Sequence, residues 1–232
     1  VGPGHPYSPM VEYNAMLHPL VPYAMRGTIW YQGEGNVVRA SEYHLLFSGL
    51  ITQWRHEWEE GDFPFYFVQL PNFKADDPHG LGWPALREAQ AQTLASPNTG
   101  MAVTIDIGEN DNLHPHNKQE VGRRLALLAL ARTYGQKNLA DSGPVFASAD
   151  FKSAPSAVLV RFGQSPAQLE NTNSADPAAV LGFELAGADG VFHAAAARID
   201  NDTIRVSDPV VPTPVAVRYA WRNAPDATLH NT

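Results

Sequence analysis

Residues Phe63-Pro64-Phe65-Tyr66-Phe67-Val68-Gln69-Leu70 are apolar and aromatic almost without a break, and a strand of that kind has to be covered on both of its faces. Two further runs share this character: Gly27-Thr28-Ile29-Trp30-Tyr31 and Gly100-Met101-Ala102-Val103-Thr104-Ile105-Asp106. Segments with helical spacing lie around them. Residues 41–58 place Tyr43, Leu46, Phe47, Leu50, Ile51, Trp54 and Trp58 on an i, i+3, i+4 stripe, with Ser41 as N-cap and Glu42 in the first turn. Residues 10–25, 83–94 and 118–134 read as helices too, the last closed by Gly135. Doubly buried strands alternating with helices predict a parallel sheet covered by helices on both faces, whose ligands gather in the loops at the carboxyl ends of the strands. Two such loops, 32–36 and 106–117, carry the chemically interesting residues.

From Gly143 onward the pattern changes to short β segments, Val158-Leu159-Val160-Arg161-Phe162, Gly182-Phe183-Glu184-Leu185 and Val215-Ala216-Val217-Arg218-Tyr219. The turns Ala188-Asp189-Gly190 and Asp200-Asn201-Asp202 add hairpin chemistry. The polar stretch 137–144 separates the two patterns. The expected organisation is an α/β domain over 1–137, incomplete at its N-terminus, and a small antiparallel β-sandwich-like domain over 138–232.

With 44% hydrophobic and 17% charged residues, the 232-residue chain has the composition of a globular protein rather than a disordered or coiled-coil one. Its net charge of −8 and lack of basic runs argue against nucleic acid or an anionic membrane surface as partner. No stretch approaches the roughly 18 apolar residues of a membrane span. The absence of cysteine removes disulfides, thiolate nucleophiles and Cys-based zinc sites, and leaves the compartment open. Val1-Gly2-Pro3-Gly4 does not resemble the basic start of a signal peptide.

In the loop after the third strand, Asp111 and His114 stand as Asp-x-x-His. A carboxylate three residues before an imidazole can hold one ring nitrogen and leave the other to take a proton, which is half of a Ser-His-Asp triad. A surface Asp and His at this spacing are also often idle, and Asp111, His114 and His116 offer three metal ligands without an evident fourth. In the other loop, Gln32-Gly33-Glu34-Gly35 follows a strand. Its glycines let backbone N–H groups approach a ligand and Gln32 adds an amide donor, the parts of an oxyanion hole, although an ordinary strand-to-helix turn reads similarly.

These segments resemble a known family. Gly27-x-Ile29-Trp30-Tyr31-Gln32-Gly33-Glu34-x-Asn36, Gly61-Asp62-Phe63-Pro64-Phe65, Leu86-Arg87-Glu88-Ala89-Gln90, Thr104-Ile105-Asp106-Ile107-Gly108 and His114-Pro115-x-Asn117-Lys118-x-Glu120-Val121-Gly122 are similar to the sialate O-acetylesterases, SGNH-type carbohydrate esterases. The resemblance continues through Gly182-Phe183-Glu184 and Pro214-Val215-Ala216-Val217-Arg218-Tyr219-x-Trp221. It implies an SGNH-like three-layer sheet, hydrolysis of O-acetyl esters on sugars without cofactor or metal, and a periplasmic or secreted setting. It places Asp111 and His114 on the family's Asp-x-x-His, and Gln32, Gly33 and Glu34 on its oxyanion and substrate-binding block.

The departures are specific. The family's Gly-Gln-Ser-Asn nucleophile segment is missing before residue 27, Ala15 stands for a glycine in Tyr13-Asn14-Ala15-Met16, and Gly35 replaces a small hydroxyl residue. Gly163-Gln164-Ser165-Pro166 is a downstream imitation with proline where the family has asparagine. The chain therefore reads as an internal piece of a longer enzyme, with the serine supplied by an N-terminal segment or a second chain. Two other readings stay open: a non-catalytic sugar-binding or scaffolding subunit with Trp83, Tyr31 and Trp58 as a glycan platform, and a lipase-like esterase of the same fold.

Overall fold

A computed structural model describes residues 5, 8, 10–76, 80–154, 156–163 and 168–231. Ser165 and residues 1–4 lie outside them. Strands β1 (Thr28–Trp30), β2 (Phe65–Val68) and β3 (Thr99–Ala102) form a parallel sheet in the order β1-β2-β3. Helices α1 (Ala40–Trp58), α2 (Gly82–Gln92) and α3 (Lys118–Leu128) complete it.

Strand β2 explains the layering. Its four residues are buried, and alternate side chains go to opposite faces. Phe65 and Phe67 enter a cluster with Tyr43, Phe47 and Ile51 of α1 and Trp83, Leu86 and Ala89 of α2. Tyr66 and Val68 meet Val121, Leu125 and Leu128 of α3. This is a three-layer α/β arrangement with helices on both faces.

Strand β1, one of the two edge strands, departs from the expectation of full burial because α3 does not reach it. Ile29, opposite Tyr66 in register, points to the α3 side and is 69% exposed, since α3 packs on β2 and β3. The helix expected over 10–25 is also revised. A π-helical turn, Tyr13–Leu17, and a 3₁₀ turn, His18–Leu20, take its place with no buried residue. Pro19 and Pro22 cannot donate to a helical ladder, which breaks the helix there. Helix α1 starts a residue earlier than predicted. The 3₁₀ turn Glu34–Arg39 runs straight into it, so Ser41 lies inside the helix and is not the cap. Leu46, on the predicted stripe, is exposed. Helix α3 is capped by Asn117, whose side chain accepts from the Glu120 N–H at 3.2 Å, and it continues as a π-helical turn, Ala129–Thr133.

Residues 146–231 form antiparallel sheets around a separate core of Val158, Val160, Phe183, Leu185, Ile204 and Val206. This part is fastened to the α/β layers by one buried cation. Arg87, on α2, donates to the carbonyls of Ala220, Arg222 and Asn223. The Asn223 side chain in turn accepts from the Trp83 N–H, and the Asn223 carbonyl from the Phe73 N–H at 3.1 Å. Among the described residues no carboxylate takes part, and burial lowers the Arg87 pKa to about 10. Arg87→Met should leave the carbonyls of Ala220 and Arg222 without this donor and destabilise the chain by about 3 kcal/mol. A urea midpoint equal to wild type would show that the clamp contributes nothing.

Candidate active site

The carboxyl ends of β1, β2 and β3 open into loops 31–36, 69–76 and 103–117. Glycines let two of these loops approach their neighbours. A Cβ on Gly33 would lie 3.0 Å from Leu86 Cδ2 and 3.1 Å from Gln90 Nε2. One on Gly108 would lie 2.5 Å from the Asn72 carbonyl oxygen and 2.7 Å from Pro71 Cβ, both parts of the adjoining loop. The Asn72 side chain fills that contact: its oxygen accepts from the Gly108 N–H at 2.8 Å, and its amide donates to Asn110 Oδ1 at 2.9 Å. Gly108→Ala should force these loops apart and lower the melting temperature by several degrees, measurable by circular dichroism.

Gln32 is the best-defined member of the site. Its Nε2 donates to Asn36 Oδ1 at 2.8 Å, and Tyr43 Oη donates to both its carbonyl oxygen and its Oε1. Gln90, 1% exposed, donates from Nε2 to the carbonyls of Gln32 and Val68 and accepts the Leu70 N–H on Oε1. Glu34 opens the 3₁₀ turn that follows. Beside it, burial and the negative charge of Glu34 push the Tyr31 hydroxyl pKa up to about 12. Lys118 Nζ lies 4.6 Å from the centre of the Tyr31 ring, which joins the Gln-Gly-Glu loop to the start of α3, just past His114.

The Asp-x-x-His loop is built differently from the expectation. Among the described residues no hydrogen bond joins Asp111 to His114. The Asn112 N–H donates to the Glu109 carbonyl, so Asn110 and Asp111 are the central residues of a β-turn, and Asp111 is exposed at its tip. The His114 N–H donates to Asn112 Oδ1 at 3.0 Å, and its side chain is exposed. The carboxylate–imidazole pair in this loop is Glu109–His116: the Glu109 oxygens lie 2.9 and 3.1 Å from His116 Nδ1. Glu109 also accepts from the His116 N–H and from Asn112 Nδ2. The His116 N–H bond first, and the Asn112 and His116 side chains after it, hold the Glu109 pKa down at about 2. A lowered carboxylate pKa contributes stability above the ordinary value near 4.5, and that contribution is lost as pH falls through about 2. The side-chain carboxyl carbon of Glu109 should keep its ionised NMR shift well below pH 4.5 and change only as pH falls through about 2, whereas Glu109→Gln should shift the backbone resonances of the loop already at pH 7.

Asp106 does not serve as a free acid. Arg124 grips it with two bonds of 2.6 and 2.7 Å, and His230, on the strand Leu229–Asn231, approaches it to 4.0 Å. Among the described residues no three His, Asp or Glu side chains gather to hold a metal ion, and no helix is long and apolar enough to cross a membrane.

Sequence reasoning left Tyr43 as a core residue and gave Gln90 and Arg87 no role. The signal was present: Arg87 and Gln90 are polar residues three apart on the helix face that also carries Trp83, Leu86 and Ala89. A buried polar pair on an apolar stripe has to be satisfied by something outside the helix. Of the suggested glycan platform, Trp83 is excluded, being 4% exposed with its indole N–H donating to the Pro71 carbonyl.

A family model described as a carbohydrate esterase, sialic acid-specific acetylesterase, matches residues 2–131. The chain belongs to that family. It is 38% identical over 153 residues to the sialate O-acetylesterase of Mus musculus and 37% identical over 153 residues to that of Homo sapiens, in each case over 58% of this chain. It spans only 28% and 29% of those two proteins. A crystal structure of a carbohydrate acetylesterase from Xanthomonas citri superimposes with a TM-score of 0.87 at 45% identity, covering 94% of this chain and 50% of that one. In the acetylesterase family, then, the chain corresponds to about half of that bacterial relative, and the match extends through its antiparallel part.

Proposed function

We propose that this chain supplies the histidine and the oxyanion-binding loop of an esterase that removes O-acetyl groups from sugars, with the nucleophilic serine brought by an N-terminal segment or a second chain. Residues 1–137 then form a partial SGNH-type domain and 138–232 an accompanying β-sandwich-like domain. The observation that carries the reading is the meeting of the Gln-Gly-Glu loop and the segment after His114 at the carboxyl edge of a parallel sheet, joined through Tyr31 and Lys118. The serine Oγ attacks the acetyl carbonyl and its proton passes to His114. The tetrahedral oxyanion is held by the Gln32 amide and nearby backbone N–H groups, and Glu34 borders the sugar. His114 then protonates the departing sugar oxygen, which leaves as a hydroxyl, and an acetyl-serine remains. In the second half His114 takes a proton from water as the water oxygen attacks the acetyl carbonyl, and it returns that proton to the serine Oγ as the acyl bond breaks and acetate leaves. Asp111, a turn away, orients the imidazole when the site is complete.

Release of acetate from O-acetylated sugars by the serine-complete enzyme tests the assignment. A preference for butyrate or longer acyl groups would favour the lipase-like reading, and binding to glycan without turnover the scaffolding one. The formed Glu109–His116 pair favours a second reading in which His116 is the base. His116→Ala with near-normal turnover, the outcome we expect, removes it.

A further inference from the structure

From the contacts around Gln32 we infer that Tyr43 is a positioning residue for catalysis, aiming the Gln32 amide at the oxyanion. The inference rests on the oxyanion role proposed above for Gln32. Tyr43 sits on α1, 3% exposed, packed against Phe47 with ring centres 5.4 Å apart. Its hydroxyl lies 3.0 Å from the Gln32 carbonyl oxygen and 3.2 Å from Gln32 Oε1. One phenol proton shared between these two oxygens pinches the end of the side chain toward its own backbone. That fixes the amide plane, with Nε2 on the side away from the phenol.

One Nε2 hydrogen goes to Asn36 Oδ1, and among the described residues no acceptor takes the second. An amide has two such hydrogens, so the arrangement leaves one donor unspent and held in direction, as a preorganised oxyanion donor must be. Gln90 secures the other side. Its Nε2 holds the Gln32 carbonyl at 3.3 Å and its Oε1 holds the Leu70 N–H at 2.8 Å, tying the loop after β1 to the end of β2. The Gln32 carbonyl is therefore held by Gln90 as well as by Tyr43, and with Gln90 in place removal of the hydroxyl should loosen the amide while the loop stays anchored. Burial keeps the hydroxyl protonated, with its pKa raised, so it remains a donor across the working pH range.

The test is a double-mutant cycle on aryl acetate turnover in the serine-complete enzyme. An oxyanion donor is worth on the order of 10²–10³ in kcat. Gln32→Ala should lose that much, and Tyr43→Phe, which keeps the ring in the core, about tenfold in kcat with KM within about twofold. Because Tyr43 acts through Gln32, the double variant should be no slower than Gln32→Ala alone. Equal losses from Tyr43→Phe in both backgrounds, a shift confined to KM, or a Tyr43→Phe enzyme with wild-type kcat would each overturn the positioning role. A Gln32→Ala enzyme with near-normal kcat would instead remove the oxyanion role, and this inference with it.

Discussion

Replacing His114 with alanine is expected to cut turnover of an aryl acetate by the serine-complete enzyme by at least about 10²–10⁴-fold, the range that general acid–base catalysis supplies. The melting temperature should stay within a few degrees of wild type. The two halves of this expectation come from different features of the residue. His114 is exposed on a loop, and among the described residues only its backbone N–H is engaged, by Asn112 Oδ1, so little packing is lost with the ring. The imidazole, however, is the group to which the proposed mechanism gives the serine proton. Asp111 has to leave the tip of its turn to reach the ring, and Asp111→Asn should lower kcat with a smaller effect on KM. A His114→Ala enzyme that keeps near-normal turnover would end the role given to this histidine.

The chain expressed by itself should neither hydrolyse an acetyl ester nor form an adduct with a serine-directed organophosphonate. Within the α/β layers its serines are Ser41 and Ser48 on α1 and Ser96, which precedes β3 at the opposite end of the sheet from the candidate site. None stands at the carboxyl end of a strand, where the Gln32 amide could reach the carbonyl it attacks. The uncovered edge at β1 points the same way. Ile29 is 69% exposed there, and Val38, Leu45 and Leu46 are 90%, 77% and 55% exposed nearby in sequence. An apolar strand edge of this kind pairs with further chain or aggregates. We therefore expect poor solubility from the isolated chain, and recovery of both solubility and labelling when a serine-bearing N-terminal segment or second chain, as proposed above, is supplied. Robust activity with an adduct at Ser8 or Ser165 would refute the assignment and force a different nucleophile.

Local pattern carried much of the fold. The doubly apolar run 63–70 specified a strand needing helices on both faces, and β2 with α1, α2 and α3 meets that need because burial on alternate sides follows from side-chain period alone. The helices over 41–58, 83–94 and 118–134 were legible as elements, but their ends were not: Ser41 is not the cap of α1, and the stretch 10–25, which reads as a helix, is broken at its two prolines. The positions of the Gln-Gly-Glu and Asp-x-x-His segments were equally readable, since a residue type and its spacing are properties of the sequence. Their contacts were not. Arg87 meets carbonyls more than 130 residues away, and Gln90 reaches back 58 residues to Gln32. Whether Ile29 lies inside or outside depends on how far α3 extends over the sheet. Asp111, three residues from His114, faces solvent while Glu109, seven residues from His116, holds an imidazole. Spacing sets what a side chain could touch. Which of those contacts forms was decided by turn geometry and by the competing donors and acceptors that the fold brought alongside.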